Sequence, residues 1–337
     1  MTDRRIPEER GVVRGRPEIG GGAATPSFAL PVGAGDGIPG SPRPLRVGPR
    51  ILDWGDRTYV MGVLNVTPDS FSGDGLLAGE PAPNRGAAPD PVAAAVARAR
   101  AMVAEGADVL DVGGASSRPG HAAIPAADEI ARVVPVIAAL RAALPEVPIS
   151  IDTTTPAVAA AALDAGADLL NDVWGVAGDD ALDRIAAERR VPIVLMHNRA
   201  EARYRNLVAE IISDLQRALD RALDAGVSWD DLIVDPGFGF GKTPDHNLEL
   251  LGSLDALLVL GRPILLGTSR KSTLGKLLDL PPDQRVEATS ATTVLGIAAG
   301  VDIVRVHDVR ENVRAARMAD AVVRGWRPPG WPGGDPR

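Results

Sequence analysis

Along this chain, polar residues of a particular kind recur where short apolar runs stop. Asn65, Asp111, Asp152, Asn171 with Asp172, His197, Asp235, Ser269 to Lys271, and Arg305 to His307 each stand at the C-terminal end of such a run. Any one of them could simply cap the helix that follows. Together they mix carboxylates, amides and cations, which is the inventory of a binding site. Asp152, Asn171 and Asp235 supply acceptors and an amide, and suit a flat heterocycle with several N–H and C=O groups along one edge. Arg118, Arg270, Lys271, Arg305 and His307 are cations in a chain of net charge −8, a focusing that suits an anionic phosphate or carboxylate. Ser272 opens a helix whose first N–H groups can also take an anion. Cysteine is absent, which excludes thiolate nucleophiles, thiolate zinc sites and disulfides.

Residues so far apart in sequence need a scaffold that brings strand ends to one place. The aliphatic runs are Tyr59–Val66, Asp108–Val112, Val147–Asp152, Asp168–Val173, Val191–His197, Leu232–Asp235, Pro263–Gly267 and Asp302–His307. Ala-rich stretches of helical pattern follow them, roughly over 90–106, 126–143, 156–165, 179–189, 204–225, 245–258, 285–299 and 308–324. Several end in Gly, then Ala or Val, then Asp (Gly106 to Asp108, Gly166 to Asp168, Gly300 to Asp302). A Gly just past a helix takes the left-handed conformation cheaply and lets the next strand begin at once. Eight such units in about 270 residues predict an α/β protein of the (β/α)8 TIM barrel type, whose strand ends converge on one mouth. A doubly wound open sheet is the alternative, but it has a Gly-rich phosphate turn after its first strand. Here Asn65-Val66-Thr67-Pro68-Asp69 stands there instead. Residues 1–45, rich in Gly, Pro, Ala and Arg, are expected to be a disordered extension, 46–324 the barrel, and 325–337 an irregular tail. Trp326 or Trp331 in that tail could fold back as a plug.

Composition narrows the function classes. Of 337 residues 45% are hydrophobic but only 3% aromatic, so the core is aliphatic and stacking platforms for nucleic acid are not expected. Lys plus Arg number 36 against 44 Asp plus Glu, which argues against sliding on DNA or docking to an acidic membrane. No apolar run reaches the ~18 residues of a membrane span. The N-terminal arginines are not followed by an apolar stretch, so a secretory signal is not expected and a cytoplasmic protein is.

The segments carry more than spacing. MGVLNVTPDSFS (61–72) resembles the opening signature of the dihydropteroate synthases, and the rest follows in order. DVGGASSRPG spans 111–120, SIDTTTPAVAAAALDAGADLLNDV 150–173, DPGFGFGKTPDHNLELL 235–251, GTSRKS 267–272 and RVHDV 305–309. The resemblance covers about residues 50–322 and implies a pterin-binding TIM-barrel transferase of folate biosynthesis. Its members join 6-hydroxymethyl-7,8-dihydropterin pyrophosphate to 4-aminobenzoate, releasing pyrophosphate and forming 7,8-dihydropteroate.

Carried over by position, the resemblance implies that Asp235 and Asn171 hold the amino-pyrimidinone edge of the pterin, with Lys271 on its carbonyl side. Arg305 would stack on the pterin and, with His307, hold the pyrophosphate. Asn65 would coordinate a Mg²⁺ ion, a hard cation that keeps most of its waters and needs few protein oxygens. Ser117 and Arg118 would position aminobenzoate and pyrophosphate, while Phe240, Pro119 and Ser272 form the aminobenzoate slot. Asp152 would stabilise positive charge as the C–O bond breaks, which with Lys271 and Arg118 makes the implied catalytic set.

The chain departs from the family pattern in places. Ala115-Ser116-Ser117 stands where Glu-Ser-Thr is usual, Asn198 to Glu201 follow His197 in place of a hydrophobic residue, Gly and Pro, and Leu76–Pro91 reads as an insertion. Two other readings share the pterin contacts: a methyltransferase passing a methyl group from methyltetrahydrofolate to a corrinoid protein, and a non-catalytic pterin-binding paralogue. The intact Ser269 to Ser272 and Arg305 to His307 segments speak against the first, and Asn65, Asp152 and Lys271 against the second. The Ala-rich stretches Thr289–Ala299 and Val313–Val323 could pair in a homodimer.

Overall fold

The run Tyr59–Asn65 becomes a strand buried at every residue but the last. A continuous apolar strand of this kind belongs in a parallel sheet covered on both faces. The computed structural model describes residues 42–66, 90–115 and 124–332. A two-stranded antiparallel hairpin, β1 (Leu45–Val47) and β2 (Arg50–Leu52), comes first. Eight parallel strands follow: β3 (Tyr59–Asn65), β4 (Val109–Gly113), β5 (Ile149–Asp152), β6 (Leu169–Asp172), β7 (Ile193–Met196), β8 (Leu232–Asp235), β9 (Leu265–Leu266) and β10 (Ile303–Val306). They lie side by side in the order β8-β7-β6-β5-β4-β3-β10-β9. A parallel bridge from Val234 to Ile264 joins the two ends and closes the TIM barrel.

Local chemistry sets the helices between them. Asp90 accepts from the Val92 N–H and Pro91 opens the helix Pro91–Glu105. Gly106 ends it at φ 106°, and β4 starts almost at once. Thr243 and His246 form a reciprocal capping box on Pro244–Leu251. The helix expected to open at Ser272 runs Ser272–Leu278, and a 3-10 turn separates it from Val286–Ala298, the helix expected over 285–299. The single helix expected over 245–258 is split at Gly252 and Ser253 into Pro244–Leu251 and a 3-10 stretch, Leu254–Leu260. No helix among the described residues is long and apolar enough to cross a membrane.

The interior of the barrel is layered. Val109, Leu169, Val194, Ile233, Leu265 and Ile303 form its lower layer with Tyr59 and Met61. Two residues further along a strand the side chain returns to the same face. Thus Val109 is followed inward by Asp111, Leu169 by Asn171, Ile233 by Asp235 and Ile303 by Arg305. The period of two therefore puts grease at the floor and chemistry at the mouth.

What seals the floor is the hairpin. Leu45, Val47 and Leu52 are buried in the lower layer, with Trp54 packed against it. The tail tryptophans do not take that place: Trp331 is exposed, and Trp326 lies under the Arg317 guanidinium at 5.2 Å. The expected extension lies outside the described residues as far as residue 41, and the first strand begins at Leu45.

Candidate active site

Strand register aligns the first group of residues. Asn65 pairs with Gly113, Gly113 with Asp152, and Asp152 with Asn171, so one row crosses β3 to β6 at the mouth. Arg305 enters this row from β10. Its Nε donates to Asp111 Oδ2 at 2.6 Å and a terminal nitrogen donates to Asp152 Oδ2 at 2.5 Å. Asn171 Nδ2 donates to the same Asp111 oxygen at 3.2 Å, while the other Asp111 oxygen is buried without a hydrogen-bond partner. A guanidinium held between two carboxylates is fixed in plane as well as in charge.

Asn171, Asp235, Lys271 and Arg305 line one cavity together with Val173, Met196, Phe238, Phe240 and Gly267. Asp235 Oδ1 accepts from the Gly237 N–H at 2.7 Å. The Lys271 ammonium lies 3.6 Å from the centroid of the Phe240 ring, and that ring packs with Val173 and Met196. The cavity thus has an apolar wall, one carboxylate, one amide and two cations. That is the equipment a polar-edged heterocycle requires.

Burial governs the titration of this cluster. It pushes the Asp152 carboxyl up to about 7, against the attraction of Arg305, and the charge of Asp111 adds to the rise. Asp235 is pushed up to about 6 by burial, with the Gly237 N–H and Lys271 pulling it back. Burial works against the Arg305 charge too, but Asp111 and Asp152 outweigh it and hold the guanidinium above its ordinary value.

Other expected residues sit on the rim. The His307 N–H donates to Ser269 Oγ at 3.1 Å, and the Ser269 hydroxyl faces His307 Nδ1 at 3.0 Å. With that hydroxyl donating to Nδ1, the ring proton lies on Nε2. Ser272 is exposed at the start of its helix, and Asn65 is exposed at the end of β3. Arg270, at φ 58°, is paired with Asp308 at 2.6 Å and anchors the loop instead of adding charge to the cavity. Ser117, Arg118 and Pro119, and the stretch 76–89, lie outside the described residues. Among the described residues no group of three or more His, Asp or Glu could hold a metal ion by itself. The exposed Asn65 amide offers one hard oxygen donor, which fits a cation such as Mg²⁺ that takes few ligands from the protein.

Two pairings stand out only in the structure. Asp111 ends an apolar run like the others, and its spacing of two from Val109 places it inward, but nothing in the sequence pairs it with Arg305. Lys242 and His197 meet beneath the loop that follows β8, at 2.9 Å. No sequence pattern joins them.

The family whose members are described as pterin binding enzymes matches residues 61–307. The chain is 46% identical over 281 residues to the dihydropteroate synthase of Clostridium beijerinckii, covering 83% of this chain and 100% of that one. It is 45% identical over 275 residues to that of Bacillus subtilis, covering 82% and 92%. Among solved structures, the Xanthomonas albilineans dihydropteroate synthase in complex with 7,8-dihydropteroate superposes with a TM-score of 0.73 at 41% identity, over 83% of this chain and 98% of that one. The same enzyme bound to 4-aminobenzoic acid gives 0.75 at 42% identity, over 84% and 98%.

Proposed function

The chain belongs to the pterin-binding enzymes and, within them, to the dihydropteroate synthases, and on that premise we infer how its own residues carry the reaction. It is a transferase that condenses 6-hydroxymethyl-7,8-dihydropterin pyrophosphate with 4-aminobenzoate to give 7,8-dihydropteroate and pyrophosphate. The observation that carries the assignment of roles is the single cavity lined by Asn171, Asp235, Lys271 and Arg305.

In this reading Asp235 accepts from adjacent N–H donors of the pterin, Asn171 supplies a donor and an acceptor, and Lys271 donates to the carbonyl side. The C–O bond from the pterin methylene to pyrophosphate breaks with its electron pair on the departing oxygen. The amine nitrogen of aminobenzoate then forms the new C–N bond and loses a proton. No protein nucleophile is needed. Asp152 and Asp111 surround the developing positive charge, and Arg305 holds them in place. His307, Arg305 and Arg118 receive the pyrophosphate, and Ser117, Phe240 and Ser272 border the aminobenzoate. Asn65 would hold a Mg²⁺ ion, which when bound would supply positive charge to offset that of the departing pyrophosphate.

A homodimer is part of the proposal. Leu295 and Met318, on the packed helices Val286–Ala298 and Val309–Val323, are 54% and 67% exposed, and Val322 is 71% exposed. An apolar surface of that kind suits an interface with a second copy. Light scattering of the wild type and of Met318→Glu would read the dimer and its loss.

The deciding assay is coupling of the purified protein with dihydropterin pyrophosphate, labelled 4-aminobenzoate and Mg²⁺. Labelled dihydropteroate, lost on chelation, is the expected result. Pterin binding without product under any divalent metal would leave a non-catalytic pterin-binding protein.

A further inference from the structure

The loops that follow β7 and β8 are locked together around one ammonium group. Lys242 Nζ donates to the Gly237 carbonyl at 3.0 Å, to the Phe240 carbonyl at 3.1 Å and to His197 Nδ1 at 2.9 Å. His197 is fully buried. With Nδ1 accepting, its proton lies on Nε2, which donates to Asp214 Oδ2 at 3.2 Å. Burial and the Lys242 charge push His197 down to about 3, so the ring is neutral. Asp214 also accepts from Arg199 Nε at 2.9 Å and pairs with Arg217.

Backbone packing is equally close. Gly237 and Gly241 have φ of 68° and 55°. A Cβ at Gly237 would sit 1.8 Å from the His197 carbonyl oxygen, and one at Gly241 would sit 2.4 Å from that of Arg199. Only glycine fits either position. Tyr204 closes the outside, its hydroxyl donating to the Gly241 carbonyl at 2.8 Å.

The segment held in this way presents two cavity groups. The Gly237 N–H orients Asp235, and the Phe240 ring carries the Lys271 ammonium. Lys242 itself does not line the cavity. We propose that Lys242, with His197 as its acceptor, is a positioning residue for the pterin site: one ammonium fixes the Gly237 and Phe240 carbonyls, and through those peptides the Asp235 carboxylate and the Phe240 ring. The identity of the heterocycle rests on the dihydropteroate synthase reading.

The charge of Lys242 acts as well as its hydrogen bonds. The groups facing it are Asp235, Asp214, Arg199, Lys271 and the neutral His197 ring. Burial pushes Lys242 down to about 7, with Asp235 and Asp214 opposing and Arg199 and Lys271 reinforcing the fall. In return Lys242, with Lys271 and Arg305, draws Asp235 down from where burial alone would put it. Loss of the ammonium therefore both loosens the loop and raises the proton affinity of Asp235.

Calorimetry with dihydropterin pyrophosphate in the absence of aminobenzoate, on the full chain from pH 5 to 9, tests this without turnover. Lys242→Met is expected to bind at least tenfold more weakly at pH 6.5, where the wild-type ammonium is charged, with the acid limb of affinity moved up by about half a unit, while Lys242→Arg recovers both. Lys242→Gln keeps N–H donors without charge, so its limb shifts like that of Lys242→Met but its affinity at high pH falls less. It also serves where Lys242→Met does not fold. Wild-type affinity in Lys242→Met, or an unshifted limb in both neutral variants, overturns the proposal. Product formation by the wild type is scored separately: a wild type that binds this pterin and makes no dihydropteroate removes the enzymatic reading and leaves the Lys242 comparison standing.

Discussion

Arg305 on β10 reaches past β3 to Asp111 on β4, its Nε lying 2.6 Å from the carboxylate. The pair links two strands that are not neighbours and lies between the apolar floor and the mouth. Removing one partner of a buried ion pair costs about 3–5 kcal/mol, because the other is left uncompensated. Here Asp152 remains as a second partner, so Asp111→Asn is expected to cost roughly 2–3 kcal/mol in urea unfolding. Because Arg305 lines the cavity, kcat/KM should also fall at least tenfold. A variant with normal stability and normal kcat/KM would show that Asp111 does not position Arg305.

Asp235→Asn separates stability from binding. Burial raises the Asp235 pKa to about 6, so between pH 4 and 6 the folded protein keeps a proton that the unfolded chain releases. The stability tied to that proton is complete below about pH 4 and is lost as pH rises through 6. A neutral Asn escapes this loss, so the variant should be more stable than the wild type at pH 8, by on the order of 2 kcal/mol. Pterin affinity should nevertheless fall by about 2–4 kcal/mol, since an amide presents N–H against a donor. In the wild type, affinity should drop about tenfold per pH unit below 6 and decline again above about 7 as Lys242 loses its charge. Melting curves and calorimetry on the same preparation read all three, and unchanged affinity in the variant removes Asp235 from the site.

The strand ends were legible because a period of two in an aliphatic run leaves little freedom. Once Val109, Leu169, Ile233 and Ile303 face inward, Asp111, Asn171, Asp235 and Arg305 must do so too. Their partners were not legible, since Arg305 meets Asp111 across 194 positions and Lys242 meets His197 across 45. The floor is not legible for another reason: Leu45 and Val47 alternate with Arg46, and Leu52 follows the exposed Ile51, in strands of three residues, too short to carry a pattern.

That floor gives a truncation test. Deleting residues 1–41, whose composition offers little to bury, is expected to leave kcat/KM within roughly threefold. Deleting 1–52 removes three buried aliphatic side chains from the barrel base, at about 1.5–3 kcal/mol each. That protein should melt far lower or fail to fold. Equal melting temperatures for the two truncations would show that the hairpin does not seal the barrel.

Asp152 is where binding and chemistry can be told apart. A merely local role would be to cap the helix Pro156–Asp164, but the N-cap position of that helix is Thr155, without a side-chain cap, and Asp152 accepts from Arg305 instead. Its carboxylate sits where solvent screening is weak, beside the cavity that would hold the pterin methylene. If the C–O bond breaks before the amine attacks, positive charge grows there in the transition state, and only stabilisation greater than in the ground state raises kcat. Asp152→Asn keeps the shape and removes the charge. Substrate affinity should change by less than about tenfold, while kcat falls by roughly 10²–10³, or ~3–4 kcal/mol. The sign of the pH dependence follows from burial, which raises Asp152 to about 7. Wild-type kcat should therefore rise as pH passes through 7 and the carboxyl ionises, and the variant should show no such rise. Measuring kcat, pterin-pyrophosphate affinity and melting temperature from pH 5.5 to 8.5 resolves the alternatives. A lower melting temperature with normal turnover would make Asp152 a structural anchor for Arg305, and a normal kcat with an unchanged pH profile would end its electrostatic role.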